Sequence, residues 1–218
     1  MDEPGGSEGL PPETLAEAAG VLLRSGAVQA DGRTAVATPS AEEVRDVLLP
    51  ILRWRPGSPA LGRFLIGIAA PPAAGKTTLC AWLAAVARVL GWGQFAFLSL
   101  DGYHLPNAVL DAHTGLDPEG RRVPLRQLKG TPETFDAERF LAELRRLKSA
   151  REEARLPAYS REFHEPVAGA VRIGPEADRV IVEGNFLFLN SPPWSEICAL
   201  FDRRIFVDGE EEFLRERL

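Results

Sequence analysis

The chain is poor in cysteine and lysine, and it has no long apolar run. Its two cysteines, Cys80 and Cys198, form no CxxC pair and no His/Cys cluster, which excludes a disulfide-stapled or zinc-ribbon domain. Apolar stretches such as 64–74 and 180–189 are broken by proline, glycine or glutamate before the ~18 residues that a membrane-spanning helix needs. With 20 glycines and 18 prolines in 218 residues, the chain also falls short of the ~25–30% that is typical of low-complexity sequences.

The charge balance is acidic, with a formal net charge of −6 and a pI near 5.2. We therefore expect no broad basic surface and no nucleic-acid partner, although a compact anionic ligand is compatible with this charge. Residues 1–9 are acidic, whereas a secretory signal would be basic and then apolar. Together with the isolated cysteines, this favours a reduced, cytoplasmic protein that has no membrane partner.

The first 62 residues differ in texture from the rest of the chain. Residues 1–12 lack periodicity and are predicted to be a disordered lead, and residues 13–62 to be an N-terminal helical extension. Helical spacing predicts one helix over 13–24, and a capping box of Ser40 and Glu43 predicts the start of a second. The predicted apolar stripe of the second helix comprises Val44, Val47, Leu48, Ile51 and Leu52.

From residue 63 onward, strand and helix patterns alternate. Nearly continuous apolar runs predict four strands, over 64–69, 95–100, 179–182 and 203–207. Helical patterns occupy 76–90, 136–149 and 210–218. This alternation predicts an α/β domain with a doubly wound parallel sheet over 63–218. Segment 101–134 is too long for an ordinary connection, so it is either functional or loosely ordered.

The most specific motif is a phosphate loop between the strand at 64–69 and the helix that follows it. It matches [AG]xxxxGK[ST] in the strand–loop–helix context of P-loop NTPases. Backbone N–H groups of 73–77 are expected to surround a β-phosphate, with the Lys76 ammonium bridging the β- and γ-oxygens and the Thr77 hydroxyl binding Mg²⁺. We define the phosphate loop as Ala70, Pro71, Pro72, Ala73, Ala74, Gly75, Lys76, Thr77 and Thr78.

Two alanines make this loop unusual. Ala70 and Ala73 stand where a GPPGxGK loop has glycine. An alanine held at positive φ costs on the order of 1 kcal/mol. The loop is therefore either adapted to these alanines or impaired by them, and an ordinary turn between a strand and a helix is the competing interpretation.

Two carboxylates follow predicted strands. Asp101 comes after the run at 95–100, and Glu183 after the run at 179–182. Ligands of open α/β sheets lie outside the carboxyl ends of the strands, so both side chains are expected to face the γ-phosphate. We assign Asp101 to the acceptor hydroxyl and Glu183 to the magnesium shell. The alternative is that each merely begins a turn with the glycine that follows it.

Four segments carry a resemblance to a known superfamily: LDGYHLPN (100–107), KGTPETFD (129–136), PAYSREFHEPV (157–167) and VIVEGNFLFL (180–189). In this order after the phosphate loop, they resemble a bacterial branch of the phosphoribulokinase/uridine kinase/type I pantothenate kinase superfamily, over 64–218. The resemblance implies ATP and Mg²⁺ as cofactors, Asp101 as the base and Glu183 in the magnesium site. These roles agree with those assigned from the residues alone.

The resemblance also implies an acceptor-binding stretch of the Y-D-x-x-x-H type, in which Ser160 here replaces the usual aspartate. Arginine and histidine beside an aromatic ring can bind a polar or anionic acceptor, but the same residues suit a solvated loop. Two residues next to Asp101 extend this set. The candidate acceptor residues are Tyr103, His104, Tyr159, Arg161 and His164.

The predicted function is that of an ATP-dependent kinase that phosphorylates a hydroxyl of a nucleoside, pantothenate-like or sugar acceptor. The alternative is an ATP-binding regulatory module with little or no transfer. The resemblance further implies an Arg-bearing lid and a last strand beyond 210–218, so the domain is expected to lack both. The strand at 203–207 would then be an exposed edge through which two copies of the chain associate.

Overall fold

A computed structural model describes most of the chain. The described residues are 11, 13–14, 20, 28–30, 33–35, 38–54, 62–92 and 95–209. The predicted helix at 210–218 lies outside them, as does nearly all of the predicted lead and of the helix at 13–24.

The described strands and helices alternate along most of the chain. The strands are β1 (Val28–Ala30), β2 (Arg33–Ala35), β3 (Phe64–Ala69), β4 (Phe95–Ser99), β5 (Thr114–Leu116), β6 (Arg122–Pro124), β7 (Ala154–Ser160), β8 (Glu165–Ile173), β9 (Arg179–Gly184) and β10 (Arg203–Phe206). The helices are α1 (Ala41–Glu43, continued by a π-helical turn, Val44–Leu48, and by Leu49–Leu52), α2 (Lys76–Val89), α3 (Asn107–Ala112), α4 (Ala137–Ser149) and α5 (Trp194–Leu200).

The central feature is a four-stranded parallel sheet in the order β10-β3-β9-β4. The four predicted strands are confirmed to within two residues at each end. Strand β9 lies between β3 and β4, so the chain segments that follow these three strands leave the sheet side by side. This arrangement brings the phosphate loop, Asp101 and Glu183 to one edge.

Side chains on the two faces of the sheet form two separate cores. Leu65 of β3 belongs to a cluster with Phe140 and Leu144 of α4. The next residue, Ile66, belongs to a cluster on the opposite face with α1 and α2, through residues such as Leu48 and Leu83. Helices therefore cover both faces, which confirms the predicted doubly wound architecture.

Helix α1 begins at the predicted capping box, in which Ser40 and Glu43 cap each other's backbone. The predicted stripe is wrong at one position, because Val47 is 45% exposed and Leu49 is buried in its place. Position 47 lies in a π-helical turn, where the regular helical spacing assumed for the stripe does not hold. The N-terminal segment also contains β1 and β2, a short antiparallel pair.

Segment 101–134 is ordered, and its two ends are tied together. It comprises most of a 3₁₀ turn (Leu100–Tyr103), α3, the β5–β6 hairpin and two further 3₁₀ turns. The N–H of Leu105 donates to the carbonyl of Thr134 at 2.8 Å, and the N–H of Asp136 donates to the carbonyl of Tyr103 at 2.7 Å. Asp136 also caps α4, as its position before the helical pattern predicts.

A second hairpin, β7–β8, was not predicted as strands from the sequence. Its register shifts between Leu156 and Ala158, and it packs against the 3₁₀ turn after β4. At the other end of the sheet, β10 pairs with β3, and no second neighbour occurs among the described residues. Association through that edge stays a prediction. No helix within the described ranges has the length and apolar character to cross a bilayer.

Candidate active site

The phosphate loop connects the end of β3 to the first turn of α2. A turn closes where the N–H of Ala74 donates to the carbonyl of Pro71 at 3.3 Å, and the helix begins where the N–H of Leu79 donates to the carbonyl of Gly75 at 2.9 Å. Lys76 and Thr77 occupy the first helical positions and are half-buried. The N-terminus of a helix concentrates N–H groups and positive potential, which favours a phosphate ligand at this end.

Two residues of the loop have left-handed backbone conformations. Gly75 has φ 87°, and an added Cβ there would meet no atom within 4 Å, so its backbone angle is what favours glycine. Ala73 has φ 63°, which is the strained conformation anticipated from the sequence, whereas φ of Ala70 is not positive. The departure from the glycine-rich pattern therefore carries a backbone cost at one alanine only.

Asp101 follows β4, as predicted, whereas Glu183 lies within β9, one residue before that strand ends. Glu183 is 7% exposed and is the register partner of Ser99 on β4. The Ser99 hydroxyl donates a hydrogen bond to the Glu183 carboxylate and accepts one from the N–H of Asp101 at 3.2 Å. Asp101 is half-buried in the 3₁₀ turn after β4.

The turn that holds Asp101 packs closely against β7. An added Cβ on Gly102 would lie 2.4 Å from the carbonyl oxygen of Pro157, so only a glycine allows this approach. As a result, the hairpin β7–β8 lies beside Asp101 and the end of β4.

A cavity of about 450 Å³ lies between α2, the ends of β4 and β9, and the hairpin. It joins Thr77 of the phosphate loop to Asp101 and Glu183 in one space, and its size lies within the usual range for small-molecule sites. Its other lining residues are Cys80, Ala81, Ala84, Phe97, Leu98, Ser99, Pro157, Ala158, Tyr159, Arg161, Val171 and Ile181.

Two of the candidate acceptor residues, Tyr159 and Arg161, line this cavity. Tyr103 does not line it. Its side chain is 2% exposed, packs against Phe140 and donates a hydrogen bond from its hydroxyl to Glu143 at 2.5 Å. Burial, and then the hydrogen bond to Glu143, raise the pKa of Tyr103, so the phenol stays neutral.

His104 and His164 flank the cavity without lining it. The Nδ1–H of His104 donates to the carbonyl of Asp101 at 2.8 Å, and its ring makes tilted contacts with the rings of Phe135 and Tyr159. Burial lowers the pKa of His104 below its usual value. His164 is exposed at the hairpin tip with φ 51°, and it contributes its backbone carbonyl rather than its ring to the structure.

The hairpin tip is held by Lys129, one of the chain's three lysines. Its ammonium donates to the carbonyl of His164 at 2.8 Å and to Oδ1 of Asn107 at 2.9 Å, and it lies 5.1 Å from the centre of the Tyr159 ring. A compact ammonium with three donors suits this arrangement. Lys129 therefore ties the hairpin to the start of α3.

Sequence reasoning missed Ser99 and the face of α2 that borders the cavity. Ser99 is a small polar residue two positions before Asp101 at a strand end, a signal too common to single it out. Cys80 is 8% exposed and belongs to the core between the sheet and α2, yet it also borders the cavity.

The oxygen donors at this site fit Mg²⁺. The Thr77 hydroxyl and the Glu183 carboxylate both border the cavity, and hard oxygen ligands are those that Mg²⁺ prefers. Among the described residues, no cluster of three or more His, Cys, Asp or Glu side chains could hold a metal alone. The phosphate oxygens of a nucleotide and water would therefore supply the remaining ligands, as is usual for Mg²⁺.

A phosphate loop after an inner strand, with carboxylates at the ends of the two strands on one side of it, defines this fold as that of a P-loop kinase.

No protein-family model matches the chain. It is 33% identical over 181 residues to the Escherichia coli "uncharacterized protein YggC", covering 81% of this chain and 70% of YggC. It is 35% identical over 158 residues to the "putative uridine kinase C227.14" of Schizosaccharomyces pombe, covering 72% of this chain and 65% of that protein.

Two further comparisons, one with a curated protein and one with a solved structure, also match kinases. The chain is 30% identical over 155 residues to the pantothenate kinase of Enterococcus faecalis, covering 70% of this chain but 47% of that enzyme. A solved structure described as a "putative fructose transport system kinase" from Silicibacter superposes with a TM-score of 0.63 at 28% identity, covering 96% of this chain and 80% of that one. The chain belongs to the P-loop kinase superfamily that includes uridine kinases and pantothenate kinases.

Proposed function

We propose that the chain is an ATP-dependent kinase that transfers the γ-phosphoryl group of ATP to a hydroxyl group of a small molecule. The observation that carries this proposal is the single cavity that Thr77, Asp101 and Glu183 share. Membership of the superfamily supports the kinase class. The acceptors considered from the sequence were a nucleoside, a pantothenate-like compound and a sugar, and the names of the relatives differ in the same way.

The phosphate loop is proposed to bind ATP through the backbone N–H groups of 73–77. Lys76 is the first residue of α2, and its ammonium would offset the charge of the β- and γ-phosphates. Thr77 and Glu183 would hold Mg²⁺, which neutralises the charge that develops on the transferring phosphoryl group when it is bound.

Asp101 is proposed to be the general base. In the transfer, the acceptor oxygen forms a bond to the γ-phosphorus, and the bond from that phosphorus to the bridging oxygen breaks. The bonding electron pair leaves with ADP, and the acceptor proton passes to the carboxylate of Asp101. Ser99 would orient both carboxylates, because its hydroxyl contacts Glu183 and the backbone of Asp101.

The test is whether ADP forms from Mg·ATP only when a hydroxyl acceptor is present. A panel of nucleosides, pantothenate and sugars is assayed with the wild-type chain and with Lys76→Ala. Acceptor-dependent ADP formation that Lys76→Ala abolishes supports the proposal. Stabilisation by Mg·ATP without ADP formation from any acceptor would instead support the alternative of an ATP-binding regulatory module, for which the strained Ala73 is the specific observation.

A further inference from the structure

The strands that form the floor of the cavity carry polar side chains at their ends, near Asp101, and apolar side chains farther from it. Ser99 and Glu183 are register partners at the ends of β4 and β9, and Phe97 and Ile181 are the partners two residues earlier. Residues two apart on a strand share a face and are separated by about 7 Å. The floor of the cavity therefore changes from polar to apolar within about 7 Å of Ser99 and Glu183.

The helical wall of the cavity changes in the same direction. Thr77, Cys80, Ala81 and Ala84 recur at the spacing of one helical face, and all four border the cavity. Ala84 lies two turns, or about 10 Å, beyond Thr77. Beyond the hydroxyl of Thr77, this wall carries one thiol and two methyl groups, and no side chain that hydrogen-bonds strongly.

The hairpin forms the third side. Pro157, Ala158 and Val171 add apolar surface, while Tyr159 and Arg161 add the polar groups on this side. Among the described residues that border the cavity, the strongly polar side chains are Thr77, Ser99, Asp101, Tyr159, Arg161 and Glu183. Three of these belong to the ends of β4 and β9, and a fourth to the phosphate loop.

A nucleoside or a sugar is polar along its whole length. Each hydroxyl or amide buried against the apolar part of the cavity without a partner weakens binding by roughly 5- to 150-fold. Each methylene buried there strengthens binding by up to about fourfold. The walls therefore select against acceptors that are polar at both ends.

We infer that the acceptor is an alcohol with an apolar body, alkyl or aryl, that extends about 7 to 10 Å from the reacting hydroxyl along α2. This inference rests on the proposed function, which makes the ligand of this cavity the phosphoryl acceptor. The reacting hydroxyl lies at Asp101, and the apolar body lies between the Ala81 and Ala84 face of α2 and the side chains of Phe97 and Val171.

The test compares three six-carbon ligands: 1-hexanol, 1,6-hexanediol and a hexitol, together with 1-butanol and uridine. Dissociation constants are measured by ligand-observed NMR with the full chain loaded with Mg²⁺ and a non-hydrolysable ATP analogue. We expect 1-hexanol to bind about tenfold or more tightly than 1-butanol, at least tenfold more tightly than 1,6-hexanediol, and more tightly still than the hexitol. A hexitol or uridine affinity equal to or above that of 1-hexanol would overturn the inference.

Two variants locate the binding. Ala84→Leu fills the far end of the cavity. It is expected to remove most of the increase in affinity from 1-butanol to 1-hexanol. Val171→Thr keeps the shape, makes the wall more polar and is expected to reduce the same gain. Ala142→Leu, at an exposed position of α4, is the matched control. A chain-length gain that neither cavity variant changes would show that hexanol binds elsewhere.

Assays of ADP formation with the same compounds separate this inference from the proposed function. Binding that follows the expected order without ADP formation from any acceptor would contradict the kinase and leave the apolar cavity established. Efficient phosphorylation of uridine or a free sugar, with no gain along the alcohol series, would support the kinase and overturn the inference.

Discussion

The hydroxyl of Ser99 donates a hydrogen bond to the carboxylate of Glu183 across the neighbouring strands β4 and β9. The same oxygen accepts a hydrogen bond from the backbone N–H of Asp101 at 3.2 Å. One small side chain therefore links the carboxylate proposed for the metal to the turn that holds the carboxylate proposed for the acceptor.

Replacing Ser99 tests this link. Ser99→Ala is expected to raise the Mg²⁺ concentration required for half-maximal stabilisation by ATP by about tenfold, because a hydrogen bond to a charged group contributes ~1.5–3 kcal/mol. Ser99→Thr retains a hydroxyl and should restore most of the effect. Ser149→Ala, at an exposed hydroxyl, is the control. An unchanged Mg²⁺ requirement in Ser99→Ala would show that the hydrogen bond does not position Glu183 for the metal.

Removal of the Lys76 ammonium is expected to abolish the thermal stabilisation that Mg·ATP produces. The ammonium offsets the phosphate charge, and a ligand that no longer binds the native state no longer raises Tm. Arg88→Ala, an exposed position near the end of the same helix, should keep the wild-type shift. A wild-type shift in Tm for Lys76→Ala would show that Mg·ATP does not bind through this lysine of the phosphate loop.

The two carboxylates are expected to differ in what they affect. Asp101→Asn should retain ATP binding but reduce transfer by ~10²–10⁴-fold, the usual scale for a general base. Glu183→Gln should chiefly weaken the dependence on Mg²⁺. Steady-state kinetics with a phosphorylated acceptor, and thermal shifts over a Mg²⁺ series, distinguish the two. Wild-type turnover in Asp101→Asn would exclude it as the base.

Restoring a glycine in the phosphate loop tests the strain at Ala73. Ala73→Gly relieves a left-handed alanine that costs on the order of 1 kcal/mol, against an entropic cost below ~1 kcal/mol in the unfolded chain. ATP affinity, measured by titration calorimetry, is expected to rise by a few fold or to stay unchanged. Ala74→Gly, where φ is not positive, is the control. Binding weakened by more than tenfold in Ala73→Gly would mean that the methyl group aids binding.

His104 is expected to make the protein less stable in mild acid. Because burial lowers its pKa in the folded state, the unfolded chain binds the extra proton first as the pH falls below about 6.5. The stabilisation is therefore complete above that pH and is lost as the pH falls toward the folded-state pKa. His104→Gln should flatten the dependence of Tm on pH between 7 and 5, which thermal unfolding over a pH series measures. Equal slopes in wild type and His104→Gln would contradict this.

The positions of Lys76, Asp101 and Glu183 in the fold were predictable because each residue has a local signature. A loop that needs positive φ and a lysine at a helix start leaves a fixed spacing in the sequence, and a carboxylate directly after a buried strand has its position set by the sheet. Lys76 at the start of α2, Asp101 in the turn after β4 and Glu183 near the end of β9 were placed in this way, and their roles stay proposals.

The acceptor side was harder to predict, since its geometry depends on contacts between distant segments. Tyr103 lies two residues after Asp101, but the 3₁₀ turn directs its side chain to Phe140 and Glu143 instead of the cavity. Because Pro157 and Pro166 flank this segment, the sequence suggested a loop there. Proline is nevertheless compatible with a strand at an edge position, and both prolines lie in strands of the hairpin.

The separation of the hairpin from the phosphate loop has a consequence for how such enzymes diversify. The groups proposed to bind ATP and Mg²⁺ lie in 70–78 and at Glu183, while much of the wall proposed to contact the acceptor lies in 157–171 and on one face of α2. Lys129 holds the hairpin through the carbonyl of His164 and Oδ1 of Asn107, so substitutions at Ala158 or Val171 on the cavity side are expected to leave these two hydrogen bonds in place. Under the proposed function, substitutions in this one hairpin would alter acceptor choice while the residues proposed for phosphoryl transfer stay unchanged.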